Sequence, residues 1–359
     1  MCVGKQLLAA VAIAALGCGS VPAQSQAGPA AAPGTATSGT AASGMRLNLF
    51  VNGSGADALR QGDLTLLDNG TPVPVQSLLP PHAGNVPTHV ILVIDDVNAR
   101  ATTVAYERSE LKKFLTRNDG QLRVPLTIAV MTDTKMDIQP GFSQDGNAIN
   151  QALQKYPIGL HEIRRDSQYG GQDRTNICLG SLRQLVQYAS TIPGHKLILF
   201  LSPGWPLLSG PRIQLTAKEQ RGIYQSVAEL QDSMLQADIT LDMLNPFGPN
   251  ESVGRSDYYQ AFLKSAKKPG DVDIADLSLQ VLATHNGGEV QQGSNDIDRM
   301  VDHALSEMDS RYTVSFTPAP AEAPNGFHSL KAQVNRPGVT VRMPDEYYTR
   351  QAVAEENSR

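Results

Sequence analysis

Thr88-His-Val-Ile-Leu-Val-Ile-Asp-Asp-Val-Asn98 is the stretch whose reading decides the fold. Five apolar residues in a row, Val90, Ile91, Leu92, Val93 and Ile94, read as a strand buried on both faces, because a strand with one wet face would alternate apolar with polar side chains. The run stops at Asp95 and Asp96. In an open parallel sheet the carboxyl ends of the strands face the ligand crevice, so two carboxylates there sit where a metal or a polar ligand would be held. The alternative is a loop capped by Asp95 beside a solvated Asp96.

Outward from this strand, helical and extended patterns alternate. Residues 103–115 carry Val104, Leu111, Phe114 and Leu115 on one helical face, and residues 126–131 make a second buried strand. A helix is expected over 145–156, where Ile149 and Leu153 are spaced by four, and a polar, Gly-containing surface loop over 157–174. An amphipathic helix over 177–190, a strand over 196–201, a helix over 217–236 and a strand over 239–244 follow. Residues 277–284 read as helix, Gly287-Gly288 as a turn, and 297–308 as the last helix. Such alternation implies a mainly parallel sheet with helices on both faces. The connection over 245–276 is long, rich in Pro, Gly, Ser and charge, and is either functional or mobile.

Both flanks of this region read as strand without helix. Leu47, Leu49 and Val51 are expected to alternate with polar partners, Asn52-Gly53 and Asn69-Gly70 are turn dipeptides, and 63–68 and 73–75 are strand-like. Near the other end, 312–316, 328–334 and 339–343 are short strands separated by Pro and Gly. Neither set is large enough to close a core alone, so the two are expected to meet in one small β-sandwich.

At the start of the chain, a short basic beginning, an apolar run over 7–16 and small residues after it form a signal-peptide pattern. Val21-Pro22-Ala23 before Gln24 suits ordinary cleavage; Ala15-Leu16-Gly17 before Cys18 resembles a lipoprotein processing site. The chain is thus expected to be exported, and periplasmic, secreted or tethered to the outer membrane. Of three cysteines, Cys2 and Cys18 lie in this leader, so Cys178 has no internal partner and reads as a small core residue. A net charge of -5 with no basic cluster argues against nucleic acid, and 41% hydrophobic with 18% charged residues is ordinary globular composition. A membrane partner is expected only if Cys18 is lipidated.

A buried strand ending in Asp95, Arg174-Thr175-Asn176 ahead of a helix, a strand followed by Ser202-Pro203-Gly204, and Gly287-Gly288 before a late edge strand together resemble the von Willebrand factor type A (vWA) domain. More closely, the chain resembles the VWFA-related domain family of exported bacterial proteins over 45–348, including the leading Leu64 to Gly70 segment and the closing Arg-Pro-Gly-Val339. On this resemblance the fold class is α/β, a vWA-like doubly wound, mainly parallel sheet plus the small sandwich. The expected division is a signal peptide over 1–23, a flexible Ala/Gly/Ser/Pro linker over 24–44, a β segment over 45–79 pairing with 310–348, a vWA-like domain over 80–309 and a polar tail over 349–359.

The resemblance implies a metal-ion-dependent adhesion site: Asp-x-Ser-x-Ser after the first strand, a Thr at a helix start and an Asp after the fourth strand. Oxygen ligands of that kind suit Mg²⁺ or Mn²⁺. Asp95 matches the first Asp and Thr175 the Thr. Val97 and Ala99 stand where two hydroxyls are expected, and Ser202 or Pro203 where the later Asp is expected. The residual metal set is Asp95, Asn98 and Thr175, unless Asp96 or Ser202 substitutes; otherwise Asp95 and Thr175 survive as a hydrogen-bonded pair. No cofactor is then required, with Mg²⁺ or Mn²⁺ as the alternative.

No nucleophile elbow, phosphate-cradling glycine loop or His-Glu-x-x-His is present, and His161-Glu162 is a lone pair. Trp205 either packs against a loop or takes part in recognition. The reading is an exported, non-enzymatic protein-binding or scaffolding module with a degenerate adhesion site, binding another protein through a top face that carries Asp96, Arg174, Ser202 and Trp205. The alternatives are metal-mediated adhesion and a metal-dependent hydrolase using Asp95 and Asp96.

Overall fold

The computed structural model describes residues 44–83, 87–157, 168–246, 258–318 and 325–349. The leader, nearly all of the linker, His161-Glu162 and the tail beyond Thr349 lie outside the described residues. In chain order the strands β1 (Met45–Gly53), β2 (Leu64–Asp68), β3 (Thr71–Val73) and β4 (Val75–Leu79) come first. They lead into β5 (Thr88–Asp95), α1 (Ala101–Thr116), β6 (Gln121–Met131), β7 (Met136–Ile138), β8 (Ser143–Asp145) and α2 (Gly146–Leu153). Next are α3 (Gln168–Ser190), β9 (His195–Leu201), α4 (Ala217–Gln236), β10 (Ile239–Asn245), α5 (Leu279–His285), β11 (Val290–Gln292) and α6 (Ile297–Glu307). β12 (Arg311–Phe316), β13 (Gly326–Val334), β14 (Val339–Arg342) and β15 (Glu346–Thr349) close the series.

The central sheet has the order β11-β10-β9-β5-β6-β7, with β8 also beside β6. β5, β6, β9, β10 and β11 pair parallel, and only β7 and β8 run against β6. The fold is therefore mixed α/β around a mostly parallel sheet. Its connections run outward in opposite directions from β5 and β9, so a topological switch point lies between the carboxyl ends of these two strands.

The unbroken apolar run of β5 follows from this position. Val90, Leu92 and Ile94 join one apolar cluster with Leu111 and Phe114 of α1, Ile149 of α2 and Val301 of α6. Ile91 and Val93 join another with Leu182 and Leu185 of α3, Val227 of α4 and Leu282 of α5. Each such side chain contributes about 1.5–3 kcal/mol relative to remaining exposed. α4 begins where its sequence dictates: Thr216 Oγ1 accepts from the Glu219 N–H at 3.3 Å and the Glu219 carboxylate accepts from the Thr216 N–H at 2.7 Å.

Two four-stranded antiparallel sheets flank this region, β14-β1-β12-β4 and β15-β13-β2-β3. Each mixes strands from both ends of the chain, and they share one apolar cluster that includes Leu47, Leu49, Val51, Leu66, Val314, Phe316 and Tyr347. Asn69-Gly70 turns β2 into β3 with both residues at positive φ, as a tight hairpin turn requires. The extended segment expected over 73–75 is instead broken at Pro74. β3 pairs with β2 in one sheet and β4 with β12 in the other, so the residue lacking an N–H stands where the chain changes sheets.

β1 is buried on both sides. Leu47, Leu49 and Val51 face the sandwich core, while Phe50 joins the apolar cluster of the central sheet and Asn48 donates to Asp238 at 2.7 Å. Asn48 is thus not a solvent-facing partner in an alternating strand. Its carbonyl accepts from Arg311 at 2.9 Å, and His195 lies 3.0 Å from the same Asp238 oxygen, a polar network that ties β1 to the lower ends of β9 and β10. His195 and Arg311 hold the Asp238 carboxyl below its usual range despite the opposing effect of burial.

Other departures have local causes. α3 starts at Gln168, so the segment expected as loop up to residue 174 is helical from 168 onward. Gly171 fits because its missing Cβ leaves room for Leu208, whose side chain is only 3.2 Å from that position. β7 and β8, three residues each, are too short to show a period. The connection after β10 is packed where it is described: short 3₁₀ turns over Tyr258–Phe262, Pro269–Asp271 and Ile274–Leu277 accompany buried Ala266, Val272 and Ala275. Thr349, expected to open the polar tail, ends β15, and Tyr347 and Tyr348 of that strand are buried.

Candidate functional site

At the switch point β5 ends in Asp95 and β9 is followed directly by Ser202, both 0% exposed. Asp95 Oδ1 accepts from the backbone N–H of Val97 at 3.0 Å, the N–H of Asn98 at 2.8 Å and the Asn98 side-chain amide at 3.2 Å. Its Oδ2 accepts from the same amide at 2.9 Å and from the Ser202 hydroxyl at 2.6 Å. Burial pushes the Asp95 carboxyl above its usual range, and these hydrogen bonds pull the other way. Ser202 Oγ in turn accepts from the Gly204 N–H at 3.0 Å. The ends of the two strands are thereby stitched together across the crevice that a doubly wound sheet offers to ligands.

Asn98 also donates to Cys178 Sγ at 3.1 Å, which brings α3 under the same loop. Burial raises the Cys178 thiol well above its ordinary value, so it is held as an unreactive thiol. Thr175 is not part of this set. It sits inside α3 and its hydroxyl donates to the Gly171 carbonyl at 3.0 Å, the local back-bond that lets Thr sit within a helix. The hydrogen-bonded pair expected between Asp95 and Thr175 is replaced by Asp95 with Ser202.

The residues do not fit the hard cation that the resemblance implies. Such an ion takes about six oxygen ligands. Here both Asp95 oxygens are met by hydrogens, Asn98 turns its NH₂ toward them, Thr175 is directed at Gly171, and Val97 and Ala99 are buried apolar residues. Asn98 Oδ1 alone is a buried acceptor without a hydrogen bond in the loop.

Three of the four residues expected on a protein-binding face are not on a surface. Asp96 is 4% exposed, its N–H donates to Met131 O at 3.0 Å and its charge acts on buried Arg108. Ser202 is enclosed as described. Trp205 is 2% exposed, stands edge-on to Phe200 with centroids 5.9 Å apart, and its backbone N–H donates to Gln280 Oε1 at 3.2 Å. Gly204 makes that approach possible: its φ is 94° and a Cβ there would meet Gln280 Nε2 at 3.0 Å. Gln280 is thus a positioning residue that no short-range sequence signal reveals. Arg174 alone of the four is partly exposed. Beside it, residues 202–216 form no helix or strand and carry half-buried Leu207, Leu208, Ile213 and Leu215. Leu208 rests against the start of α3 at Gly171.

Among the described residues, two groups of His and carboxylate side chains bring ligand-type atoms within 4.8 Å of one another: His285, Asp345 and Glu346, and Glu289, His303 and Glu307. Neither includes Asp95. In the first group the carboxylates outweigh burial and hold His285 up at about 9. The second is neutralised in part by Arg342, which pairs with Glu307.

No protein-family model and no curated protein matches the chain in sequence. Among solved structures it is similar to a von Willebrand factor type A protein from Catenulispora acidiphila, with 11% identity, 86% of this chain and 74% of that chain covered, and a TM-score of 0.33. The human COPII-coat protein Sec24c gives 8% identity over 84% of this chain and 46% of that one, with a TM-score of 0.34. The pilus adhesin SpaC from Lactobacillus rhamnosus GG gives 10% identity over 74% and 35%, with a TM-score of 0.35. The chain spans less than half the length of the last two. At such scores none of these likenesses carries an inference about this chain, and the site rests on its own geometry.

Proposed function

We propose that this chain is a non-enzymatic protein-binding or scaffolding module of the vWA type, exported from the cell by its leader, in which Asp95 has become a structural residue. The observation that supports this reading is the closure of the switch point: Asp95 is buried, spans the crevice to Ser202 and has no oxygen free for a metal, substrate or water. Binding is then the work of the rim, where Arg174 and the irregular segment over 202–216 carry half-buried apolar side chains. Irregular segments of that length in compact domains are usually functional. Export rests on the sequence pattern of residues 1–23. No helix among the described residues is long and apolar enough to cross a membrane.

The test is capture of partners from a cell-envelope extract by the immobilised chain with EDTA present, using Leu208→Asp and Arg174→Glu as controls. The expected result is a discrete partner retained in EDTA and lost with both substitutions. Retention that disappears in EDTA and ignores both substitutions would return the site to metal-mediated adhesion.

A further inference from the structure

Glu346, the first residue of β15, is 2% exposed, and its Oε2 makes no hydrogen bond. A buried carboxylate oxygen without a hydrogen bond is unfavourable, so its surroundings ask for an explanation. Oε2 lies 3.7 Å from His285 Nδ1, at the end of α5, and that nitrogen lies 2.7 Å from Asp345 Oδ1. Glu346 Oε1 accepts from the Tyr348 hydroxyl at 3.3 Å, and Ser265 also bonds the carboxylate. A third carboxylate, buried Asp276, faces both His285 and Glu346. The cluster thus sets three carboxylates against one imidazole.

We propose that His285, Asp345 and Glu346 form a binding site for a divalent transition-metal ion of the Zn²⁺ class, at the seam where β15 meets α5. Three features carry this. First, one imidazole nitrogen and two carboxylate oxygens are the donor set that such an ion takes, with a fourth position left for water. Second, ligand atoms in a tetrahedral site with bonds of about 2.0–2.1 Å stand roughly 3.3 Å apart. The separations of 2.7 and 3.7 Å from His285 Nδ1 bracket that value, and all three atoms lie within 4.8 Å of one another. Small rotations of the exposed Asp345 side chain would complete the site. Third, Glu346 Oε2 is buried, makes no hydrogen bond and stands 3.7 Å from His285 Nδ1.

Binding displaces the proton that His285 Nδ1 shares with Asp345 and supplies Glu346 Oε2 with its missing contact. The ion would pin the entry of β15 to α5 and so fasten the sandwich to the central sheet. This site is independent of the top face, and nothing in the proposed binding function depends on it.

The experiment uses the full chain stripped with chelator, titrated with ZnCl₂ at pH 8 by calorimetry and followed by thermal unfolding. One ion per chain and a rise in Tm are expected. Asp345→Asn and Glu346→Gln should each weaken binding at least about tenfold, the loss expected when one ligand or close neighbour is removed, whereas Asp95→Asn should leave it unchanged. His285→Gln is the direct variant, and since it alters a buried group, the exposed Asp345 keeps the test decisive if His285→Gln fails to fold. Absence of saturable one-to-one binding, or binding retained in Asp345→Asn and Glu346→Gln, overturns the proposal. Binding lost in His303→Ala and kept in Asp345→Asn overturns it equally, by assigning the ion to the other cluster.

Discussion

Two buried carboxylates, Asp95 at the top of the central sheet and Glu346 where β15 meets α5, stand in opposite circumstances. Asp95 has both oxygens met by hydrogens from its own loop and from Ser202. Glu346 leaves Oε2 without any. The residue type and position that resemble a metal site belong to a loop that has become self-sufficient, while the unsatisfied group lies where strands from the end of the chain close against the middle. Position in the fold shows where a ligand can be held, and the hydrogen-bond inventory shows whether anything remains to hold it.

The largest effect should come from separating the two regions. A fragment of residues 80–309 lacks β1 and β12 themselves, exposes the cluster that Phe50 covers and strands His195 and Asp238 without Asn48 and Arg311. It is expected to lack a cooperative thermal transition, whereas residues 45–349 should unfold in one. A soluble fragment with its own sharp transition would show that the flanking sheets are an appendage and that the seam does not hold the centre together.

Next in size is the direct comparison of the carboxylates. Asp95→Ala strands the Val97 and Asn98 N–H groups at about 1–3 kcal/mol each, so a loss of about 3–5 kcal/mol is expected in urea unfolding. Glu346→Gln in metal-free buffer should cost less than half as much, because it retains the acceptor for Tyr348 and changes an atom that has no hydrogen bond. Equal losses would mean that the Asp95 loop is not the more tightly bonded of the two.

A third carboxylate gives a pH signature. Asp242 in β10 is fully enclosed; burial, with Glu307 and Glu289 nearby, pushes it up to about 7 against the opposing pull of Arg342 and the Glu289 N–H. The folded chain therefore keeps a proton between about pH 4 and pH 7 that the unfolded chain has released. Stability from this group falls as pH rises through that window and is level above it. Asp242→Asn lacks this titration, so the stability of the variant relative to the parent should grow from pH 5 to pH 8, by an amount on the order of 1.4 kcal/mol per unit at most. A difference independent of pH would show that Asp242 is charged throughout.

Much of the central sheet was legible because its signals are local: β5 and β9 are continuous apolar runs, and α4 announces its start through Thr216 and Glu219. The start of α3 was not, because Gly171 reads as a loop residue until Leu208, 37 positions later, is seen to need its space. Asn48 looked like a wet-face residue because its partners Asp238 and Arg311 are remote in sequence. At the candidate site Asp95 and Ser202 were legible as strand ends. Their bond, the hydrogen bond from the Trp205 backbone to Gln280 and the meeting of His285 with Glu346 are long-range facts that no window of sequence contains.

The smallest expected effect tests how firmly the top stays shut. In a chain beginning at Met45, Cys178 is the one cysteine, and its thiol lies under the Asp95–Asn98 loop with Asn98 donating to it. Replacing it with Ala should change stability by only about 1 kcal/mol, since one small side chain and one weak acceptor are removed. Its chemistry is more informative than its stability. Attack on a thiol reagent requires a thiolate in contact with solvent, and here burial both hides the sulfur and raises its pKa well above the usual value. At pH 8 the native chain should react at least about 100-fold more slowly than the chain in denaturant, which needs only about 3 kcal/mol of free energy against local opening. Asn98→Ala should speed the native reaction, because it removes the donor that joins Asp95 to Cys178, while Asp345→Asn at the seam should leave it untouched. A native rate equal to the denatured one would mean that the loop opens readily, that Asp95 meets solvent, and that the contrast between a closed top and an unsatisfied seam is wrong.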